Sequence, residues 1–261
     1  MTTFGRGRRR RAGLPAGWER VTESTLAQWA GLDDSERARL VEFMDLLLRH
    51  KRWEAAAGFE LTEGMRVLIA GHAAVLILGL DFDWYRDVQA IIVHPSTITF
   101  TDVRPGPVQG VVTDSPMLIS GQANDRRGPV LIAWDAALLD ARFPHRGQDV
   151  VFHEFAHKLD LLDGTLDGTP PLRDAAAGDR WRAVCTAEYE IVRAGGGDGL
   201  LRDYAAVNPA EFFAVATEVF FDRPADLQAG KPALYDVLRG FYHQDPATRA
   251  GPGLRSRPEG E

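Results

Sequence analysis

Hydrophobic and polar positions fall into three successive regimes along this chain. In the first, apolar residues recur at spacings of three and four, beginning with the short stretch "STLAQWAGL". The longer stretch "DSERARLVEFMDLLLRHKRWEAA" places Leu40, Phe43, Met44, Leu47 and Leu48 on one face, the signature of an amphipathic helix. Ser35, after Asp33 and Asp34, supplies cap chemistry at its start. "TEGMRVLIAGHAAVLILGL" is apolar nearly all round and predicts a second, largely buried helix.

The middle regime is different. "VQAIIVHP", "GVVTD", "PMLISG" and "GPVLIAW" are short, rich in β-branched residues and bounded by Gly and Pro, which predicts strands. After Trp134 the helical period returns over residues 149–162, 179–194, 209–221 and 232–242. Helices, then a small sheet, then helices define an α+β class, mostly helical with a small mixed sheet. Residues 1–17 and 247–261 read as disordered tails around one domain at 18–246.

Composition narrows the function. Apolar residues make up 45% of the 261, enough for a substantial core. A net charge of -7 argues against nucleic acid as the main partner, because phosphate binding relies on clustered Lys and Arg. The basic "RGRRRR" at residues 6–11 reads as a solvated terminus. Cys185 is the only cysteine, so no internal disulfide or thiolate cluster can form, in keeping with a reducing cytoplasm. The longest apolar run, residues 67–80, is too short to span a bilayer, and no secretory signal follows the basic N-terminus. The expectation is a soluble cytoplasmic protein.

The chemistry concentrates in "VVFHEFAHKLDLLDG". His153 and His157, four apart, share one helix face and can reach one ion. Glu154 is rotated about a third of a turn away, so it misses the metal and faces a bound water whose proton it can take. Val151, Phe155, Leu159 and Leu162 form an apolar stripe that would anchor this helix. The bland alternative is a chance pattern on an ordinary amphipathic helix. A catalytic zinc usually takes three protein ligands and one open position. His145 and His243 lack supporting context, which leaves a carboxylate in "YAAVNPAEFFAVATEVFF". Asn208 and Pro209 start a helix there, and Glu211 falls at the capping-box position, a sufficient structural role by itself. Glu218 lies seven residues on, about 10 Å along the axis, so only one of the two can join the ion. Spacing alone does not choose between them.

"HEFAHKLD" together with "YAAVNPAEFFAV" resembles the Mlc titration factor A family of bacterial zinc peptidases. The catalytic domain of anthrax lethal factor is a more distant relative with a similar Tyr-x6-Glu-Phe-Phe-Ala arrangement. The likeness runs from about residue 32 to about residue 245 and takes in "GFEL", "VHPS", "SGQ" and "GPVLIAW", although only the two helix motifs are specific. It implies a zincin-like fold with one Zn2+ per chain held by His153, His157 and Glu211. It also implies Glu154 as the catalytic base and Tyr204 as hydrogen-bond donor to the oxyanion. Lethal factor has a second glutamate four residues after its ligand; Val215 stands there in this chain. An oxyanion donor contributes a few kcal/mol where measured.

These readings give a zinc-dependent, aminopeptidase-like metallopeptidase acting on a peptide or protein substrate. Glu154 would take a proton from the attacking water and return it to the leaving amine. The alternative from the resemblance is a regulatory protein that binds and sequesters a transcriptional repressor. Several side chains stay open between roles. Asp160 could orient a ligand imidazole, while Asp160 and Asp163 equally suit capping. "GPVLIAW" could hold substrate as an added strand or be a plain core strand. His72 and His94 read as core or turn histidines.

Overall fold

The structure is a computed structural model and describes residues 13–56, 58–96, 126–196 and 199–249. Ten helices and three strands follow one another among these residues. The N-terminal part carries α1 (Trp18–Thr25), a 3₁₀ turn (Ala27–Gly31) and α2 (Asp34–His50). Asp33, not Ser35, caps α2: its carboxylate accepts from the Glu36 amide at 2.9 Å, and Glu36 Oε2 accepts from the Asp33 amide at 3.0 Å. Both orphan amides are thereby satisfied by one reciprocal pair. The helical period expected to run on through "KRWEAA" stops at His50, because Lys51 turns extended and Arg52–Ala55 pair as β1.

The sheet has the order β1-β2-β3, with β2 at Ala90–His94 and β3 at Val130–Ala133. Both pairs are parallel, in registers such as Trp53 opposite Ile91 and Ile91 opposite Val130. Parallel neighbours need a long crossover. Helix α3 (Glu63–Leu76) provides one between β1 and β2 and is buried on every side from Val67 onward. The expected strands at 110–114 and 116–121 lie outside the described residues. Trp134, expected as the end of the strand "GPVLIAW", instead opens α4 (Trp134–Arg142) directly after β3, a helix not among those expected.

The remaining helices are α5 (Val150–Asp160), α6 (Ala175–Arg193), α7 (Pro209–Asp222), α8 (Pro224–Gly230), α9 (Pro232–Tyr242) and α10 (Pro246–Arg249). Helix α5 packs against α3, α7 and β3 at the centre of the molecule. Val151, Phe152, Phe155, Ala156 and Leu159 are all nearly or fully inaccessible, so α5 is apolar around most of its circumference. Helix α7 is buried from Ala210 to Asp222. The Phe152 and Phe221 rings, 5.3 Å apart, join the two. Each such buried side chain favours the packed state by about 1.5–3 kcal/mol over exposure.

Gly168, in the connection between α5 and α6, sets how closely that connection approaches the start of α7. Its φ is +78°, and a Cβ there would sit 2.3 Å from the Pro209 carbonyl oxygen. Glycine alone meets both the left-handed backbone and the close approach. Its amide donates to Asp160 Oδ2 at 2.8 Å, and its carbonyl accepts from Trp181 Nε1 at 2.9 Å. Two buried helices are thus held at a defined separation with their polar side chains facing inward.

Candidate metal centre

The two central helices place His153, His157 and Glu211 together. One ligand atom from each lies within 4.8 Å of the other two, and all three residues are buried. The two Nε2 atoms are 3.2 Å apart. Glu211 Oε2 lies 3.0 Å from His153 Nε2 and 3.6 Å from His157 Nε2. Oε2 is also buried without a properly directed hydrogen bond. Three electron-pair donors converging in a buried space are unfavourable unless a proton or a cation lies among them. Two imidazoles and one carboxylate make a donor set suited to zinc and related divalent ions. The residues present therefore fit a metal ion.

Local sequence explains the approach of Glu211. Asn208 caps α7 through Oδ1, which accepts the Glu211 amide at 3.0 Å, and Pro209 occupies the first helical position. The amide is used for capping, while the carboxylate turns inward to the histidines. The capping-box role that sequence allowed for the Glu211 side chain is thus not the one it takes.

Glu218, the rival carboxylate, meets the other side of His153. Its Oε1 lies 2.7 Å from His153 Nδ1. A carboxylate here only accepts, so Nδ1 carries the hydrogen and Nε2 is left to face Glu211. Arg202 holds Glu218 through two hydrogen bonds, Nη1 to Oε2 at 2.6 Å and Nη2 to Oε1 at 2.8 Å. The Asp149 amide adds a third at 2.9 Å. Burial raises the Glu218 pKa, but Arg202 and His153 outweigh it and keep the group ionised. Sequence reasoning weighed Glu218 as a ligand and did not expect it to take the supporting place that Val215 leaves empty, yet its carboxylate meets His153 Nδ1; Arg202 and Asp149 were passed over. The signal for Glu218 was its return to the same helix face as Glu211; Arg202 offered none.

Burial lowers the His153 pKa, yet hydrogen bonds to Glu211 and Glu218 push it up to about 10 when no cation is present. Burial acts upward on Glu211, and its two histidine partners hold it well below the usual carboxylate range. This pair stores a proton where a cation would otherwise sit.

Glu154 is half-buried beside His153. Burial raises its pKa, opposed by both histidines and reinforced by Glu211. A carboxyl lifted in this way is a better proton acceptor than a surface glutamate. Tyr204 sits on the 3₁₀ turn Asp203–Ala206 leading into α7. Its ring lies 6.0 Å from that of His153, and the Arg202 guanidinium is 5.7 Å from its centroid. Burial and then the Glu211 carboxylate keep the phenol protonated, so it is available as a donor.

The other candidates serve the frame. Asp160 Oδ2 accepts from the Gly168 amide, and Asp163 Oδ1 from the Thr165 amide. His72 is buried with Nδ1 against Asp149 and Nε2 2.9 Å from the Thr25 carbonyl oxygen. Both partners accept, so both ring nitrogens donate and His72 is an imidazolium paired with Asp149. Asp149 in turn caps α5 by accepting from the Phe152 amide at 2.9 Å. Among the described residues no helix is long and apolar enough to cross a membrane.

Comparison with known proteins agrees with this geometry. The sequence profile of the glucose-regulated metallo-peptidase M90 family matches residues 2–243. An uncharacterized protein of Synechocystis sp. is 33% identical over 236 residues, covering 89% of this chain and 86% of that protein. Mlc titration factor A of Yersinia pestis is 33% identical over 238 residues, covering 86% of this chain and 87% of the relative. The same protein of Yersinia pseudotuberculosis matches equally well.

Proposed function

The chain belongs to the glucose-regulated metallo-peptidase M90 family, and from that premise we propose a zinc-dependent, aminopeptidase-like peptidase centred on His153, His157 and Glu211. Family membership makes it a metallopeptidase with a peptide or protein substrate. The observation that carries the zinc reading is the convergence of two Nε2 atoms and Glu211 Oε2 within 3.0–3.6 Å.

When bound, a zinc ion supplies Lewis acidity towards water and the scissile carbonyl. The chain's own groups do the rest. His153 and His157 present their Nε2 atoms to the site, and Glu211 brings a carboxylate oxygen. Glu154, adjacent in the same space, takes the proton of the attacking water and returns it to the leaving amine. Tyr204 keeps its hydroxyl hydrogen and donates it towards the oxyanion that forms on the carbonyl. The preference for a free amino terminus rests on the resemblance to the Mlc titration factor A family.

A second reading follows from the name of the Yersinia relatives, Mlc titration factor A: binding of a transcriptional repressor, with cleavage secondary. One experiment separates the two. Zinc-loaded wild-type protein and Glu154→Gln are assayed on a peptide library with free and blocked amino termini. The peptidase reading expects turnover by wild-type, preferring free termini, and about 10²–10⁴-fold less by the variant with zinc retained. No turnover by zinc-loaded wild-type protein would overturn it in favour of the binding reading.

A further inference from the structure

We propose that Glu218 and Arg202 form a positioning pair that orients His153 from behind and ties the Tyr204 turn to the same imidazole. The proposal rests on the metal-ligand set given above and assigns roles to two residues outside it.

The geometry is specific. Glu218 is 1% exposed, yet every direction around its carboxylate is used. Oε1 accepts from His153 Nδ1 and Arg202 Nη2; Oε2 accepts from Arg202 Nη1 and the Asp149 amide. A carboxylate placed this way does two things to the imidazole. It fixes the tautomer that leaves Nε2 free of hydrogen, and it fixes the ring plane. The Asp149 contact adds a backbone reference, since Asp149 opens the helix that carries His153. Ring and helix are therefore aligned against the same carboxylate.

Arg202 extends the arrangement to the other side of the site. Its side chain is 31% exposed, but its two terminal nitrogens grip Glu218 in the parallel fork suited to a carboxylate. The same guanidinium lies over the Tyr204 ring, which in turn leans over His153. Arg202 immediately precedes the 3₁₀ turn bearing Tyr204. One cation thus touches both the carboxylate that orients a ligand and the phenol that faces Glu211. A purely structural ion pair would not need to contact both.

The test uses full-length purified protein, with zinc competition against a chromophoric chelator and the visible spectrum of the cobalt-loaded form as readouts besides turnover. Glu218→Ala and Arg202→Ala are each expected to weaken zinc binding about 10–100-fold and to alter the cobalt spectrum. Glu218→Gln, which keeps one acceptor for Nδ1, should recover part of the affinity, and Arg202→Lys less than full affinity because it lacks the fork. Thr217→Val, next to Glu218 on α7, is the control for lost stability alone: it removes the buried bond from Thr217 Oγ1 to the Tyr242 hydroxyl on α9, which does not involve His153. It should lower thermal stability and leave zinc affinity and spectrum unchanged. If Glu218→Ala or its milder Gln variant loses stability but binds zinc as Thr217→Val does, the positioning role is wrong. His153→Ala distinguishes the two layers of inference. Wild-type zinc affinity that survives this change overturns the ligand set itself, whereas affinity lost in His153→Ala but kept in Glu218→Ala overturns the positioning pair alone.

Discussion

Helices α2 and α7 begin with the same local grammar and use it differently. Each opens with a side-chain oxygen at the cap, Asp33 or Asn208, and each has a glutamate three residues later. In α2 the Glu36 carboxylate returns to the Asp33 amide and closes a capping box at the surface. In α7 the Glu211 carboxylate leaves its own cap and faces two imidazoles in the interior. A cap needs only its first oxygen to hold the third amide, so the second carboxylate is free whenever something more favourable lies opposite. The same residue type at identical spacing thus closes a surface cap in one helix and joins two buried imidazoles in the other.

The sharpest way to break this contrast is Glu211→Ala. It should abolish peptide turnover and reduce zinc affinity by orders of magnitude while the metal-free protein stays folded, because the Glu211 amide still serves Asn208. Chelator competition and far-ultraviolet circular dichroism read the two parts.

A third helix start adds a pH-dependent case. Asp140 Oδ2 accepts the Val150 amide at the start of α5. Burial, then the neighbouring Asp149 charge, raise the Asp140 pKa to about 7. A carboxyl raised on folding contributes its stability fully below its unfolded value and loses it as pH climbs through about 7. Asp140→Asn keeps an acceptor and cannot ionise. The metal-free variant should therefore gain about 1–3 kcal/mol over wild-type at pH 8 and much less at pH 4 by urea unfolding. An equal effect at both pH values would show that Asp140 is not held in this way.

The smallest effects come from the caps themselves. Asp33→Ala and Asn208→Ala should each cost about 1 kcal/mol in denaturant unfolding. Only Asn208→Ala should also weaken zinc binding, by several-fold, since it loosens the turn that carries Glu211. If Asp33→Ala weakened zinc equally, the contrast between the two helices would be lost.

The parts legible in the sequence were those that depend on short-range periodicity. His153 and His157 are one turn apart, and any helix through them brings both to one face. The helices over residues 150–160, 209–222 and 232–242 follow from the same spacing of apolar positions, and the one over 63–76 from a nearly continuous apolar run. The strand Arg52–Ala55 escaped because it is short and carries two charged residues; it exists through pairing with β2, a partner 38 residues away. Helix α4 escaped because Trp134 both ends an apolar run and starts a helix without a side-chain cap. In the site, Glu211 was legible as a candidate and chosen by resemblance, not by spacing. The orientation of Glu218 onto Nδ1, and the grip of Arg202, depend on how α5 packs against α7 and on where the turn after α6 arrives. No local pattern encodes those distances.

A crystal structure of the zinc-loaded protein, with the ion located by its anomalous scattering, decides whether these three donors hold the metal. One ion per chain is expected, about 2.0–2.2 Å from Nε2 of His153, Nε2 of His157 and a carboxylate oxygen of Glu211, with Glu218 remaining on Nδ1. An ion elsewhere, or one bound through Glu218 with Glu211 turned back to its own helix cap, would contradict this placement.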